Sequence, residues 1–130
     1  MADSNFVLSR GFDAAAALTK RRAVKMSAAE TVTPVTATSD VTIGVTRYDV
    51  TAGEILRGKG ASVDMMGIVE MEASVALAVG ALVGLSANGR AQAAGAGVRT
   101  IGVVVGSPST NAGDTVSVML GLPGLLGVGA

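Results

Sequence analysis

Histidine and cysteine are both absent from this chain of 130 residues. Without histidine there is no side chain whose ordinary pKa lies near neutrality, and the commonest metal ligand is missing. Without cysteine, disulfides, thiol catalysis and zinc sites of the Cys/His type are excluded; the redox compartment cannot be read either. Aromatic rings are nearly absent: Phe6, Phe12 and Tyr48 are the whole set. The formal net charge is zero. Nucleic-acid binding normally needs a basic footprint and stacking rings, so neither composition nor charge favours it. No apolar run approaches the roughly 20 residues of a membrane-spanning helix. Ala14 to Leu18 is too short for a secretory signal, and Lys20, Arg21 and Arg22 stand where a small-residue cleavage site would be. The chain therefore reads as a soluble protein that acts where it is made, or is carried elsewhere in an assembly.

What is present is small and apolar. Hydrophobic residues make up 49% of the chain, and glycine occurs 18 times. A core of Val, Ala, Leu, Ile and Met gains only about 0.8 kcal/mol per buried CH₂, while glycine costs chain entropy on ordering. Such a domain is marginal alone, and oligomerisation is one way for it to gain stability.

Residues 1–22 differ from the rest. Asp13, four alanines, Leu18 and then Lys20, Arg21 and Arg22 suit a helix of about two turns, acidic at its start and basic at its end. The segment reads as an arm that docks on a partner. Its anchors would be Phe6 and Phe12, and Arg10, Lys20, Arg21 and Arg22 would be rim cations.

From Ala23 onward, short β-type runs are punctuated by Gly, Asn, Pro and Asp. They are Val24–Met26, Asp40–Thr46, Gly67–Ala73, Leu82–Leu85, Thr100–Val105 and Thr115–Leu120. Val69 and Met71 alternate with Glu70 and Glu72, so the two pairs face opposite sides. Thr100–Val105 reads as a strand buried on both faces. Ala87-Asn88-Gly89-Arg90 reads as a tight hairpin, because Asn-Gly tolerates positive φ at both central positions. Ala73–Val79 fits either a strand end or one helical turn. Residues 123–130, rich in Gly and Leu, form a tail that is either a frayed end or an apolar strap lying on a neighbour.

Three short blocks recur in order. Val24-Lys25-Met26-Ser27-Ala28 matches Val83-Gly84-Leu85-Ser86-Ala87; Thr42-Ile43-Gly44-Val45 matches Thr100-Ile101-Gly102-Val103; Ala52-Gly53-Glu54 matches Ala112-Gly113-Asp114. The expected fold is mainly β: a small barrel or sandwich over residues 23–122, built from two similar halves (about 24–54 and 83–114), with the helical arm in front.

Chemistry is hard to find. Glu70 and Glu72 share a strand face, but sugar-cleaving carboxylate pairs need a ring-lined cleft. Asp40, Asp49, Glu54, Asp64 and Asp114 are scattered at turns, without the spacing of a calcium loop. Gly58-Lys59-Gly60 lacks the Ser or Thr of a phosphate loop. Ala23-Val24-Lys25-Met26 suggests the modified lysine of biotin and lipoyl carriers. There the lysine sits at a hairpin between two halves, whereas Lys25 starts the first half. No catalytic residue, metal or cofactor is expected.

The run from Val32 to Val45, followed by Ala52-Gly53-Glu54, resembles the tailed-phage capsid cement, or head decoration, family. So do Val79-Gly80-Ala81-Leu82-Val83, Asn88-Gly89-Arg90-Ala91, Ile101-Gly102-Val103-Val104 and Ala112–Val118. The resemblance covers roughly residues 23 to 120. It implies a non-enzymatic β-domain on the outer surface of the virion head, often trimeric, made in the host cytoplasm. It implies the major capsid protein as partner, with neighbouring subunits clamped against internal DNA pressure. The alternative is a non-catalytic binding or carrier module, biotinyl-like, lipoyl-like or sugar-binding.

Overall fold

The computed structural model describes residues 8–121. Nine strands and one short helix follow in the order β1 Leu8–Ala14, β2 Ala23–Ala28, β3 Thr31–Pro34, β4 Thr42–Thr46, α1 Ala52–Leu56, β5 Ala61–Glu72, β6 Leu82–Leu85, β7 Ala91–Ala93, β8 Thr100–Val104 and β9 Thr115–Leu120.

Five strands close a mixed barrel. β1 pairs in parallel with β3 (Asp13 opposite Thr31), and β3, β2, β4 and β5 follow with antiparallel pairings. β5 returns to β1, from Leu8 opposite Met66 to Phe12 opposite Ala61. Closure removes the open edges that a sheet of this size would otherwise present. The other four strands are carried on the distal half of β5, in the order β5-β9-β8-β6-β7. Ala73 forms an isolated parallel bridge to Ala91 at the far side.

Alternation along the strands builds the interior. In β5, Val63, Val69 and Met71 are buried while Glu70 points out. The closed barrel holds one cluster, in which Phe12, Leu18, Val24, Val32, Val50 and Val63 pack together. The second cluster lies under β6–β9 around Met71, Leu77, Val83, Leu85, Val116 and Val118. Met71 there is the largest fully buried side chain among the described residues.

Some pairings recur along the chain. Val24 lies opposite Gly44 with a bulge after Val24, and Val83 lies opposite Gly102 with a bulge after Val83. Leu18 bridges Val50, and Leu77 bridges Ser109. A Cβ at Gly44 would stand 2.3 Å from the Asp64 carbonyl oxygen, and one at Gly102 would stand 2.2 Å from that of Met119. Only glycine lets those strands approach so closely. The third sequence block behaves differently in its two copies. Ala52-Gly53-Glu54 lies in α1, started by a capping box in which Glu54 N–H donates to Thr51 Oγ1 and Thr51 N–H to the Glu54 carboxylate. Ala112-Gly113-Asp114 forms a turn with Gly113 at φ 93°.

The helix expected within residues 13–22 does not form. Leu8–Ala14 is a strand integral to the barrel, and Asp13 and Ala15 donate their backbone N–H groups to the carbonyls of Glu30 and Val32. Leu18 exchanges both backbone hydrogen bonds with Val50 and is buried. Two turns of polyalanine helix are marginal in water, and the strand buries Phe12 and Leu18 where the helix would not. The expected hairpin is present between β6 and β7. Only its Gly89 adopts positive φ, 81°, and Gly89 N–H returns to Ser86 carbonyl at 3.0 Å. Its tip docks on the start of β2, where Ala23 N–H donates to Gly89 carbonyl at 2.8 Å. The run Thr100–Val105 is not buried on both faces: Val103 within β8 is half-buried, and Val105, just beyond its end, is exposed.

Candidate functional site

The residues expected to contact a partner separate into different environments. Phe6 and residues 123–130 lie outside the described residues. Phe12 is buried in the closed barrel. It is a core side chain, because β1 alternates and directs it inward between β3 and β5. Arg10, two residues earlier, shares its strand face but reaches out over the ring edge of the barrel. Its guanidinium lies 4.9 Å from the Phe12 ring centroid and pairs with Glu30.

The basic run folds onto the chain itself. Lys20 N–H donates to Asp49 Oδ1 at 2.8 Å, and its side chain is exposed. Arg21 takes a left-handed conformation with φ 61°. Its N–H donates to Thr46 carbonyl and its own carbonyl accepts from Glu72 N–H, both at 2.8 Å. The turn aims its guanidinium at Thr115 Oγ1, 3.2 Å, and Glu70 Oε1, 3.6 Å. Arg22 Nε reaches Glu72 Oε1 at 3.0 Å, and Arg90 Nη2 reaches Glu72 Oε2 at 2.9 Å. Arg21 and Arg22 therefore tie the start of β2 to the distal half of β5.

Glu70 and Glu72 are accordingly ion-pair partners. Partial burial works to raise the Glu72 pKa, but its hydrogen bond and charge interactions with Arg22 and Arg90 outweigh it, and the net shift is downward. A carboxylate held ionised in this way is a poor proton donor. Lys25 is equally engaged: Nζ lies 3.0 Å from Asp40 Oδ2 and 3.1 Å from Thr36 Oγ1, in mid-strand. That is not the free hairpin tip of a carrier lysine. Asp40 and Asp114 close matching turns. Asp40 accepts from the backbone N–H groups of Thr36 and Ala37, and Asp114 from those of Thr110 and Asn111, all at 3.0 Å. The amide of Thr36 and that of Thr110 are the leading causes of their lowered pKa values. Among the described residues, no group of three or more acidic side chains is placed to hold a metal ion.

Two clefts flank this junction. One, of about 240 Å³, lies between Ala17–Thr19, Pro34 and Ala87-Asn88. The other, of about 350 Å³, is lined by Arg21, Arg47, Tyr48, Asp64, Ile68 and Glu70. Its charges are internally matched, since Arg47 Nη2 lies 2.8 Å from Asp64 Oδ1. Tyr48 on its wall is 58% exposed.

The surface that sequence reasoning missed is apolar. Ile68 lies opposite Met119, Met119 opposite Val103, and Val103 opposite Leu82. These four side chains make one continuous row across the outer face of β5-β9-β8-β6. Leu82 is 56% and Met119 48% exposed, and Val79 and Val105 are exposed at neighbouring positions in the chain. Contiguous exposed apolar surface of this kind marks contact sites, whereas scattered apolar residues do not. Strand alternation could have placed Met119 outward opposite buried Val118, but cross-strand register, which the sequence does not display, brings the four together.

No family model and no curated protein matches the chain. Among solved structures, it is similar to the head fiber gp8.5 N base of bacteriophage phi29. The TM-score is 0.67 at 16% identity, over 89% of this chain and 95% of that one. At that identity the likeness is one of fold.

Proposed function

We propose that this chain is a structural, non-enzymatic protein of a phage head. It binds the outer capsid surface as a homo-oligomer, a trimer being favoured, and bridges neighbouring major capsid subunits. The observation that carries this reading is the fold likeness to the phi29 head fiber base, which spans nearly the whole of both chains. It agrees with the cement-type motifs of the sequence in pointing to a phage head. The engagement of Glu72, Lys25 and Asp40 in internal ion pairs also favours scaffold over chemistry.

The reading extends to the architecture. Two similar five-stranded halves, fused through β5, would account for the recurring pairings around Gly44 and Gly102 and the bridges of Leu18 and Leu77. Repetition would give one chain two related contact surfaces for a lattice of repeated subunits.

The test is co-sedimentation with purified heads from the source virus. Saturable binding at a fixed ratio to the major capsid protein is expected, together with a higher temperature of head disruption. Binding without any gain in head stability would favour a second reading, suggested by the name of the structural neighbour: a base that anchors an appendage. Failure to bind heads at all would remove both.

A further inference from the structure

The apolar row Ile68–Met119–Val103–Leu82 does not end at β5. Met66 precedes Ile68 by two positions on that strand, and its register partner on β1 is Leu8; both are exposed. We infer that this band, from Leu8 to Leu82, is the surface through which copies of the chain associate with one another. Such self-association deepens the homo-oligomer part of the reading above and is independent of head binding.

Charge is the first reason to favour a second copy as the occupant. β6, β8 and β9 contain no Asp, Glu, Lys or Arg, so this part of the face offers a charged partner nothing to pair with. The charges that border the band on β5 are matched within the chain: Asp64 lies 2.8 Å from Arg47, and Glu70 lies 3.6 Å from Arg21. Juxtaposed like charges penalise contact between identical surfaces, and the band has none to juxtapose. A second copy carries the same uncharged, apolar surface by identity, so the two sides of the contact match in chemistry. Interfaces between identical subunits are more apolar than transient contacts, depleted of charge at their centre and enriched in methionine. Met66 and Met119 lie on this band.

Area is the second reason. The strands β5, β9, β8 and β6 spread the row over three strand spacings, about 14 Å. That is a surface for another folded face and not a slot for one side chain. Side chains of this size, partly exposed, leave on the order of 400 Å² of apolar surface on the band, which is comparable with the largest patch on an ordinary monomer. It would supply the apolar centre of an interface that buries about 800 Å² on each partner.

The test is the mass of the full-length protein in solution, measured by sedimentation velocity over a concentration series, beside that of a Leu82→Asp, Met119→Asp double variant. Both positions are exposed, so the variant should keep its far-UV circular dichroism while its self-association weakens by at least about tenfold. Leu56→Asp places a charge on exposed α1 and should leave the association unchanged. A parent that is a single chain at every concentration up to about 0.1 mM would overturn both the inference and the homo-oligomer part of the proposed function. An oligomer that the double variant forms as tightly as the parent would overturn the inference alone, because the copies would then meet elsewhere. Weakening of the same size by Leu56→Asp would also overturn it. Methionine oxidation by peroxide follows accessibility and needs no variant, so it covers the case in which the double variant loses its fold. Relative to exposed Met26 on the closed barrel, Met119 of the parent should oxidise several-fold more slowly in the oligomer than in the single chain obtained on dilution. Equal rates in the two states would contradict the band as the interface: fast in both places the contact elsewhere, and slow in both places the cover within one chain.

Discussion

Phe12→Ala separates a core role from an interface role. The ring is 6% exposed in a cluster with Leu18, Val24, Val32, Val50, Ala61 and Val63. It sits on β1, the strand that closes the barrel between β3 and β5. Truncating a buried Phe costs about 3–5 kcal/mol, from lost transfer energy and the cavity left behind. That is a large part of the roughly 5–15 kcal/mol by which a domain is stable. For a chain of this size, each kcal/mol lowers the melting temperature by about 3–6 °C. The expected fall in Tm is therefore about 10–30 °C, read by far-UV circular dichroism. Arg10→Ala should cost little, about 1 kcal/mol or less, since its ion pair and ring contact are exposed. A Phe12→Ala protein melting within about 3 °C of the parent would refute the core assignment.

Gly44→Ala and Gly102→Ala should destabilise to a similar extent, about 1–3 kcal/mol each, because the added methyl meets a carbonyl oxygen at 2.3 Å and 2.2 Å respectively. Urea titration reads both, and a harmless substitution at either site would contradict the strand spacing there. Glu72→Gln removes the charge between Arg22 and Arg90 and should cost about 1–2 kcal/mol, less than a fully buried pair because the carboxylate is partly exposed. An unchanged denaturation midpoint would count against the junction. Asp40, Glu72 and Asp114 have pKa values below the ordinary 3.8 for Asp and 4.5 for Glu. Their stabilisation is fully present above those ordinary values and is lost as pH falls through the lower folded-state values. Denaturation midpoints should thus be flat from about pH 5.5 to 8, with no histidine to titrate, and should fall below about pH 4.5. Glu72→Gln should make that acid fall shallower.

The second half of the fold was the more legible. Thr115–Leu120 is β9 to the residue, and the alternation of Val69 and Met71 against Glu70 and Glu72 holds. The first half was harder. Asp13 followed by alanines carries helix propensity, yet propensity is weak beside the burial of Phe12 and Leu18 and the hydrogen bonds offered by β3 and β5. Ala52-Gly53-Glu54 read as a turn, but Thr51 one residue earlier completes a capping box and starts α1. The cations at 20–22 read as the rim of a partner contact, because Glu70 and Glu72, which pair with Arg21 and Arg22, lie about 50 residues away along the chain. The outer apolar row was invisible for the same reason: Ile68, Leu82, Val103 and Met119 become neighbours only through register.

The most direct test of the head-protein reading is a cryo-electron microscopy map of heads with the protein bound. The account predicts density for this two-cluster β-domain on the outer surface, at symmetry-related positions and touching more than one major capsid subunit. Heads whose outer surface carries no such density, from preparations in which the protein is present in excess, would contradict it.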